Sequence, residues 1–195
     1  MPSIGNLVNL RLGLALLVFF TNLLYMPALV AESAKEKSAA QLFKLINARL
    51  AYMEDIALYK AQHELPIEDL EWEIIVLNSA AESAEDEGID IHSARLFFAR
   101  QIDIAKSIQR QVLADFSYQQ VAMSQPKDLN EEIRPALTSL GNELLASLHS
   151  YLQKFGPITE MEKNLFFEQV DNRYLNRKMR LSLFYSLRQV RLKSH

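Results

Sequence analysis

Between residues 42 and 60 the chain places apolar and cationic side chains on one helical stripe. Leu42, Ile46, Met53 and Ile56 recur at the steps of an α-helix, and Arg49 falls on the same face. Lys60 lies eleven residues beyond Arg49, three turns on, and shares that face. A cation turned toward a core is costly unless something negative meets it. Such a helix has to pack against partners that bring counter-charge, and it is expected to hold an anion or an acidic partner.

The rest of the chain reads as helices with few interruptions. The first is expected from about Ala34 to His63, stopping near Leu65-Pro66-Ile67 because proline turns its predecessor away from the α region. A second is expected from about Glu68 to Asp86, before Gly88, and a third from Ile91 to Val121 with Asp90 as its cap. Ala122 to Leu129 reads as a polar linker. A fourth helix tolerates Pro135 only in its first turn, and Gly156-Pro157 ends it. Thr159 and Glu162 have capping-box spacing for another, and a last helix is expected over Asn172–Leu192. No alternating runs joined by hairpin turns occur. The fold class is all-α: a single-domain helical bundle of about six helices after a signal peptide.

Composition narrows the function classes. With 195 residues, 49% apolar content and a net charge of −3, the chain can bury a real core and lacks the basic excess of a general nucleic-acid binder. The basic stretch Arg173–Lys193 is an exception. Its Leu181, Leu183, Phe184, Leu187 and Val190 point to a packed amphipathic helix, with nucleic-acid or lipid binding as the competing reading. At the N-terminus, Arg11 precedes an apolar run from Leu12 to Leu24, then Pro27 and small residues near Ala31 and Ser33. That run is short for a membrane span and reads as an export signal over residues 1–33, cleaved after Ala31 or Ser33, ahead of a domain over 34–195. The expected location is the periplasm or outside the cell. With no cysteine there is no lipid attachment site and no disulfide.

The polar residues on inward faces form a set. Besides Arg49 and Lys60, Asp69 and Glu73 lie one turn apart, and Arg134 stands just before Leu137 and Leu140. Gln101 and Gln109 sit among Phe97, Phe98, Ile102, Ile108 and Val112, where partial exposure is the default for such amides. Together these side chains could converge on a small polar pocket between helices. By default Arg49 and Lys60 would reach solvent or pair with Glu54, Asp69 or Glu73. His63, His92, His149 and His195 show no metal-ligand spacing and are expected at the surface, so no metal and no cofactor are expected. No nucleophile elbow, phosphate loop or dinucleotide fingerprint occurs. The chemistry left is anion binding and charge stabilisation without a covalent step.

One ordered set of motifs runs through Leu45 to Phe116: Arg49-Leu50, Lys60, Leu65-Pro66-Ile67-Glu68-Asp69, Glu73, Val76-Leu77 and Gly88-Ile89-Asp90. Phe97-Phe98-Ala99-Arg100-Gln101-Ile102 and Ala105-Lys106-Ser107-Ile108-Gln109 follow, and Ile133-Arg134-Pro135-Ala136-Leu137 comes later. In order and spacing the set resembles the all-helical chorismate mutases, in particular their secreted, periplasmic subclass, whose second half the last segment looks like. The resemblance implies rearrangement of chorismate to prephenate, on the shikimate-pathway branch toward aromatic amino acids. It implies Arg49 and Arg134 on substrate carboxylates, Lys60 and Gln109 as donors to the ether oxygen, and Asp69 and Glu73 near the ring hydroxyl. It also implies a homodimer in which each protomer holds its own site; from the charge balance and the short apolar run, no nucleic-acid partner and no membrane span after signal cleavage are expected.

Two positions depart from the family pattern. Trp72 stands where an arginine is usual, and Ala105 where a small hydroxyl or amide side chain is usual. The first removes a cation from a site that has to neutralise two carboxylates, and Lys106 or Arg110 are candidate replacements. Trp72 itself is expected either to pack or to stack on a ligand. A chorismate mutase-like binding protein of weak or no activity, an isochorismate-type lyase and a helical envelope adaptor are the competing readings.

Overall fold

The computed structural model describes the backbone of residues 5–119 and 126–194, and the side chains of residues 30–116 and 126–194. Two compact units divide the chain, Met1–Lys37 and Ser38–His195. Among the described residues six α-helices follow in order: α1 (Gly5–Gln62), α2 (Leu70–Asp86), α3 (Ile91–Gln119), α4 (Arg134–Phe155), α5 (Lys163–Gln169) and α6 (Arg177–Leu187). A π-helical turn, Leu129–Ile133, leads into α4, and a 3-10 turn, Glu160–Glu162, into α5. Among the described residues β-structure is limited to one antiparallel bridge, Ile89 with Leu192. The all-α reading holds.

Local chemistry sets the helix boundaries. Helical backbone begins at Gly5 rather than near Ala34, so the run read as an export signal is itself helical; leucine- and alanine-rich sequence loses little rotamer freedom in a helix. Most of that run's side chains lie outside the described residues. At the other end, α1 closes in a Schellman motif. Leu65 donates its N–H to Lys60 O at 2.8 Å and Glu64 donates to Ala61 O at 3.3 Å, with Glu64 at φ 53° where glycine is usual. Asp69 caps α2 and Asp90 caps α3, accepting N–H bonds from Trp72 (3.1 Å) and Ser93 (2.9 Å). Pro135 lies in the first turn of α4, where its missing N–H costs nothing. The capping box of Thr159 and Glu162 forms as expected.

The last helix is shorter than its sequence suggests. Asn172 accepts from Tyr174 N–H (3.0 Å) and donates to Leu50 O (3.2 Å), while Asn176 accepts from Met179 N–H (2.9 Å) and caps α6. These side chains offer the backbone an alternative to helix, so α6 begins at Arg177. It ends at Leu187, beyond which Arg191 O accepts from Asp90 N–H (2.9 Å) and Lys193 N–H donates to Gly88 O (2.8 Å). The end of the predicted third helix and the start of the linker, 120–125, lie outside the described residues.

One apolar cluster ties the second unit together. Phe166 of α5 meets Phe43 of α1 edge-on at 5.1 Å and Phe184 of α6 at 5.3 Å. Each such aromatic adds about 1.5–3 kcal/mol by burial and ~0.5–1.5 kcal/mol by ring geometry. Leu183, Leu187 and Val190 are buried with them, while the basic residues nearby pair outward: Arg173 with Glu54 (2.7 Å), Arg188 with Glu160, Arg191 with Asp90 (3.2 Å). Exposed pairs of this kind contribute at most about 1 kcal/mol each, so apolar burial is what fixes the helix.

Candidate active site

Two helices build the floor of a cavity and two more its rim. Arg49 projects from α1 toward α3 and α4 and is only 8% exposed. Its Nε donates to Gln101 Oε1 at 3.0 Å, its Nη1 donates to Leu137 O at 2.6 Å, and the guanidinium lies 5.0 Å from the centre of the Phe98 ring. Burial pushes its pKa down to about 10, which still leaves it charged at neutral pH. Gly141 lets α4 come this close: a Cβ there would stand 3.1 Å from Arg49 Nη1. Neither Glu54, Asp69 nor Glu73 pairs with Arg49. Its fixed partners are neutral, so its charge stays available to a ligand.

Lys60 stands near the C-terminus of α1 and is 6% exposed. Its Nζ donates to Ile67 O at 2.7 Å, in the loop that the Schellman motif folds back. Burial lowers its pKa below the usual lysine value; Asp69 opposes that shift and Arg134 adds to it. Gln109, on α3, is buried, with Nε2 directed at Met53 Sδ (3.6 Å) and Oε1 without a hydrogen-bond partner. A thioether is a weak acceptor, so the Gln109 amide can turn to a better one at little cost.

On the rim, every charge has a partner. Asp69 caps α2 with Oδ1 and accepts from Arg134 Nη2 through Oδ2 at 2.7 Å. Arg134 also donates from Nη1 to Asn130 Oδ1 (2.6 Å), and its guanidinium carbon lies 4.3 Å from the centre of the Trp72 ring. The Nε of Arg134 is buried without a partner. Trp72 is thus half-buried and stacks on a protein cation. Lys106, on α3, donates to Glu73 Oε2 at 2.9 Å. Arg110 instead turns outward to Glu68, away from the cavity.

Arg49, Lys60, Lys106 and Gln109 line one cavity of about 220 Å³ with Asp69, Trp72, Glu73 and Arg134. It brings together each residue singled out from the sequence: Arg49, Lys60, Asp69, Trp72, Glu73, Ala105, Gln109 and Arg134. Apolar walls come from Leu50, Ile56, Ile67, Val76, Ile102 and Leu137. Four cations (Arg49, Lys60, Lys106, Arg134) face two carboxylates (Asp69, Glu73), leaving two positive charges. Gln101 is the residue the sequence undervalued. It is 3% exposed rather than partly exposed, and its oxygen fixes Arg49. Its eight-residue spacing to Gln109, about two turns on one face, was the available signal. His149 is half-buried rather than on the surface, and His63 stacks on Tyr59 at 4.1 Å.

A helical cavity with a dicationic excess and buried donors is built to hold a small dianion. Residues 38–110 match the family model described as chorismate mutase type II. The chain is 33% identical over 161 residues to the secreted chorismate mutase of Yersinia pestis, covering 83% of this chain and 86% of that protein. It is 29% identical over 173 residues to the monofunctional chorismate mutase of Enterobacter agglomerans, covering 89% and 94%. The crystal structure of the Yersinia pestis secreted enzyme superposes with a TM-score of 0.72 at 34% identity, over 78% of this chain and 98% of that one. The chain belongs to the all-helical chorismate mutase family.

Proposed function

We propose that the protein converts chorismate to prephenate in this cavity. The observation that carries the reading is the convergence, in one family scaffold, of Arg49, Lys60, Gln109 and Arg134 on a single cavity with two surplus positive charges. The rearrangement breaks an ether C–O bond as a C–C bond forms within one dianionic molecule. No base, nucleophile or metal is required. The task is to hold the substrate compact and to stabilise negative charge gathering on the ether oxygen.

Each side chain then has a role. Arg49 and Arg134 bind the carboxylates, the first rigidly and the second propped between Asp69 and Trp72. Lys60 and Gln109 donate to the ether oxygen: the Lys60 ammonium has N–H donors to spare beside the one on Ile67 O, and Gln109 gives up only the weak acceptor Met53 Sδ. Glu73 meets the ring hydroxyl. Asp69, with both oxygens engaged, serves the substrate chiefly by aiming Arg134. Ala105 adds only apolar wall.

Purified protein is expected to deplete chorismate and form prephenate, and Lys60→Ala to lose about 10²–10³ in kcat. Absence of turnover at high enzyme concentration would sink the proposal. The N-terminal apolar run and the secreted Yersinia pestis relative support export, with residues 1–33 as signal; Ala31 and Ser33 are exposed. Among the described residues no helix is long and apolar enough to cross a membrane. N-terminal sequencing of the exported protein tests this, since an intact residue 1 would refute cleavage. A homodimer is the assembly that the family resemblance supports, and a monomer mass in sedimentation would overturn it.

A further inference from the structure

The charge that an arginine at position 72 would bring has to come from elsewhere if a dicarboxylate is to bind. We propose that Lys106 is a substrate-binding residue: its ammonium leaves Glu73 for a substrate carboxylate and replaces the cation that Trp72 lacks. The inference rests on the chorismate reading above and assigns a new member to that site.

Three observations carry it. Lys106 lines the cavity, one turn of α3 before Gln109, with its side chain 19% exposed. Its Nζ stands 2.9 Å from Glu73 Oε2, so the charge is already held at the cavity wall opposite α2. Glu73 and Trp72 both line the cavity from α2, so Lys106 holds its charge in the same cavity that the missing arginine would serve.

The electrostatic count makes the same point. With Lys106 the cavity has two surplus positive charges, matching a dicarboxylate; without it there is one. Trp72 cannot make up the difference: a neutral indole brings no charge, and its ring already stacks on the Arg134 guanidinium at 4.3 Å. Arg110, the other nearby cation, is exposed, bound to Glu68 and outside the cavity. Lysine suits the exchange: an ammonium on a four-carbon stem can rotate between two carboxylates, where a planar guanidinium would lose a fixed geometry. A partly exposed lysine–glutamate pair also holds its partner weakly, so substrate can compete for it.

Lys106→Met keeps the apolar stem and removes the charge. In the full chain it is expected to raise KM for chorismate about 10- to 100-fold, with kcat changed far less. Lys106→Arg should recover most of the loss, and Lys106→Met with Trp72→Arg should restore KM. A merely structural lysine would lower the thermal midpoint and leave KM alone. If Lys106→Met fails to fold, Lys106→Gln, which keeps a hydrogen bond for Glu73, takes its place. An active parent whose KM is unmoved by these variants overturns the inference and leaves the proposed function standing. If the parent shows no turnover, calorimetric titration with chorismate decides. Binding lost in Lys106→Met supports the inference while the activity fails; equal binding, or none to either protein, overturns it.

Discussion

Arg49 on the cavity floor and Arg134 on its rim carry the same group in opposite settings. Arg49 is 8% exposed, fixed by Gln101 Oε1 and Leu137 O, and backed by the Phe98 ring. Arg134, with its side chain 24% exposed, is propped by a carboxylate, an amide and an indole. Floor partners are neutral, so the Arg49 charge is spent on nothing else. Rim cations are neutralised in place and have to be shared with a substrate. The floor should therefore set whether the reaction happens, and the rim how tightly substrate is held.

The largest break in this contrast is expected at Arg49. Arg49→Met removes a buried charge from its ligand and leaves Gln101 Oε1 and Leu137 O buried without their donor. Loss of such a group costs about 10³-fold in kcat/KM. The two orphaned acceptors should also destabilise the fold by ~1–3 kcal/mol, a fall in melting temperature of about 2–10 °C. Steady-state kinetics and a thermal melt check both. A variant with normal melting and normal kcat/KM would erase the distinction between floor and rim.

Next in size is a change in pH dependence at Gln109. The native amide donates at any pH, so no acid limb should arise from it. Gln109→Glu presents a carboxylate that can donate only when protonated, and activity should shift toward acid, falling at least tenfold at neutral pH. On the alkaline side both proteins should lose activity as Lys60 deprotonates. Burial lowers its pKa, so that limb begins below the ordinary lysine range. The sign for stability is opposite. The unfolded chain holds the Lys60 proton to higher pH than the folded chain does, so this group's contribution to stability improves as pH rises through that window. A pH–kcat/KM profile for the two proteins tests the assignment, and superimposable profiles would remove Gln109 from the ether oxygen.

Floor and rim also differ in how far the sequence reveals them. Arg49, Lys60 and Gln109 interrupt apolar stripes at helical spacing, and a cation or amide on such a stripe is visible without a structure. The helices themselves were legible for the same reason, with Asp90 and Thr159 marking two of their starts. Rim pairings leave no such trace. Arg134 meets Asp69 across 65 residues and Lys106 meets Glu73 across 33, and only the packing of helices decides which cation faces which acid. Lys106 and Arg110 are four residues apart on one helix, yet a small difference in angle sends one into the cavity and the other to Glu68. Likewise the expected last helix starts too early because Asn172 bonds across to Leu50 O, which no local pattern declares, and Asn176 then caps α6 by accepting from Met179 N–H.

The smallest effect, and the most selective probe of the rim, is expected at Trp72. Its ring lies 4.3 Å from the Arg134 guanidinium, a contact that contributes about 0.5–1 kcal/mol at a partly exposed site. Trp72→Ala removes the platform but keeps Asp69 and Asn130, which still hold two nitrogens of Arg134. KM for chorismate should therefore rise only about two- to fivefold, with kcat little changed. Trp72→Phe, which keeps an aromatic face, should recover part of that loss. An increase in KM as large as that of Lys106→Met would mean that the indole touches substrate itself. The rim would then be built from an aromatic wall as well as from shared cations.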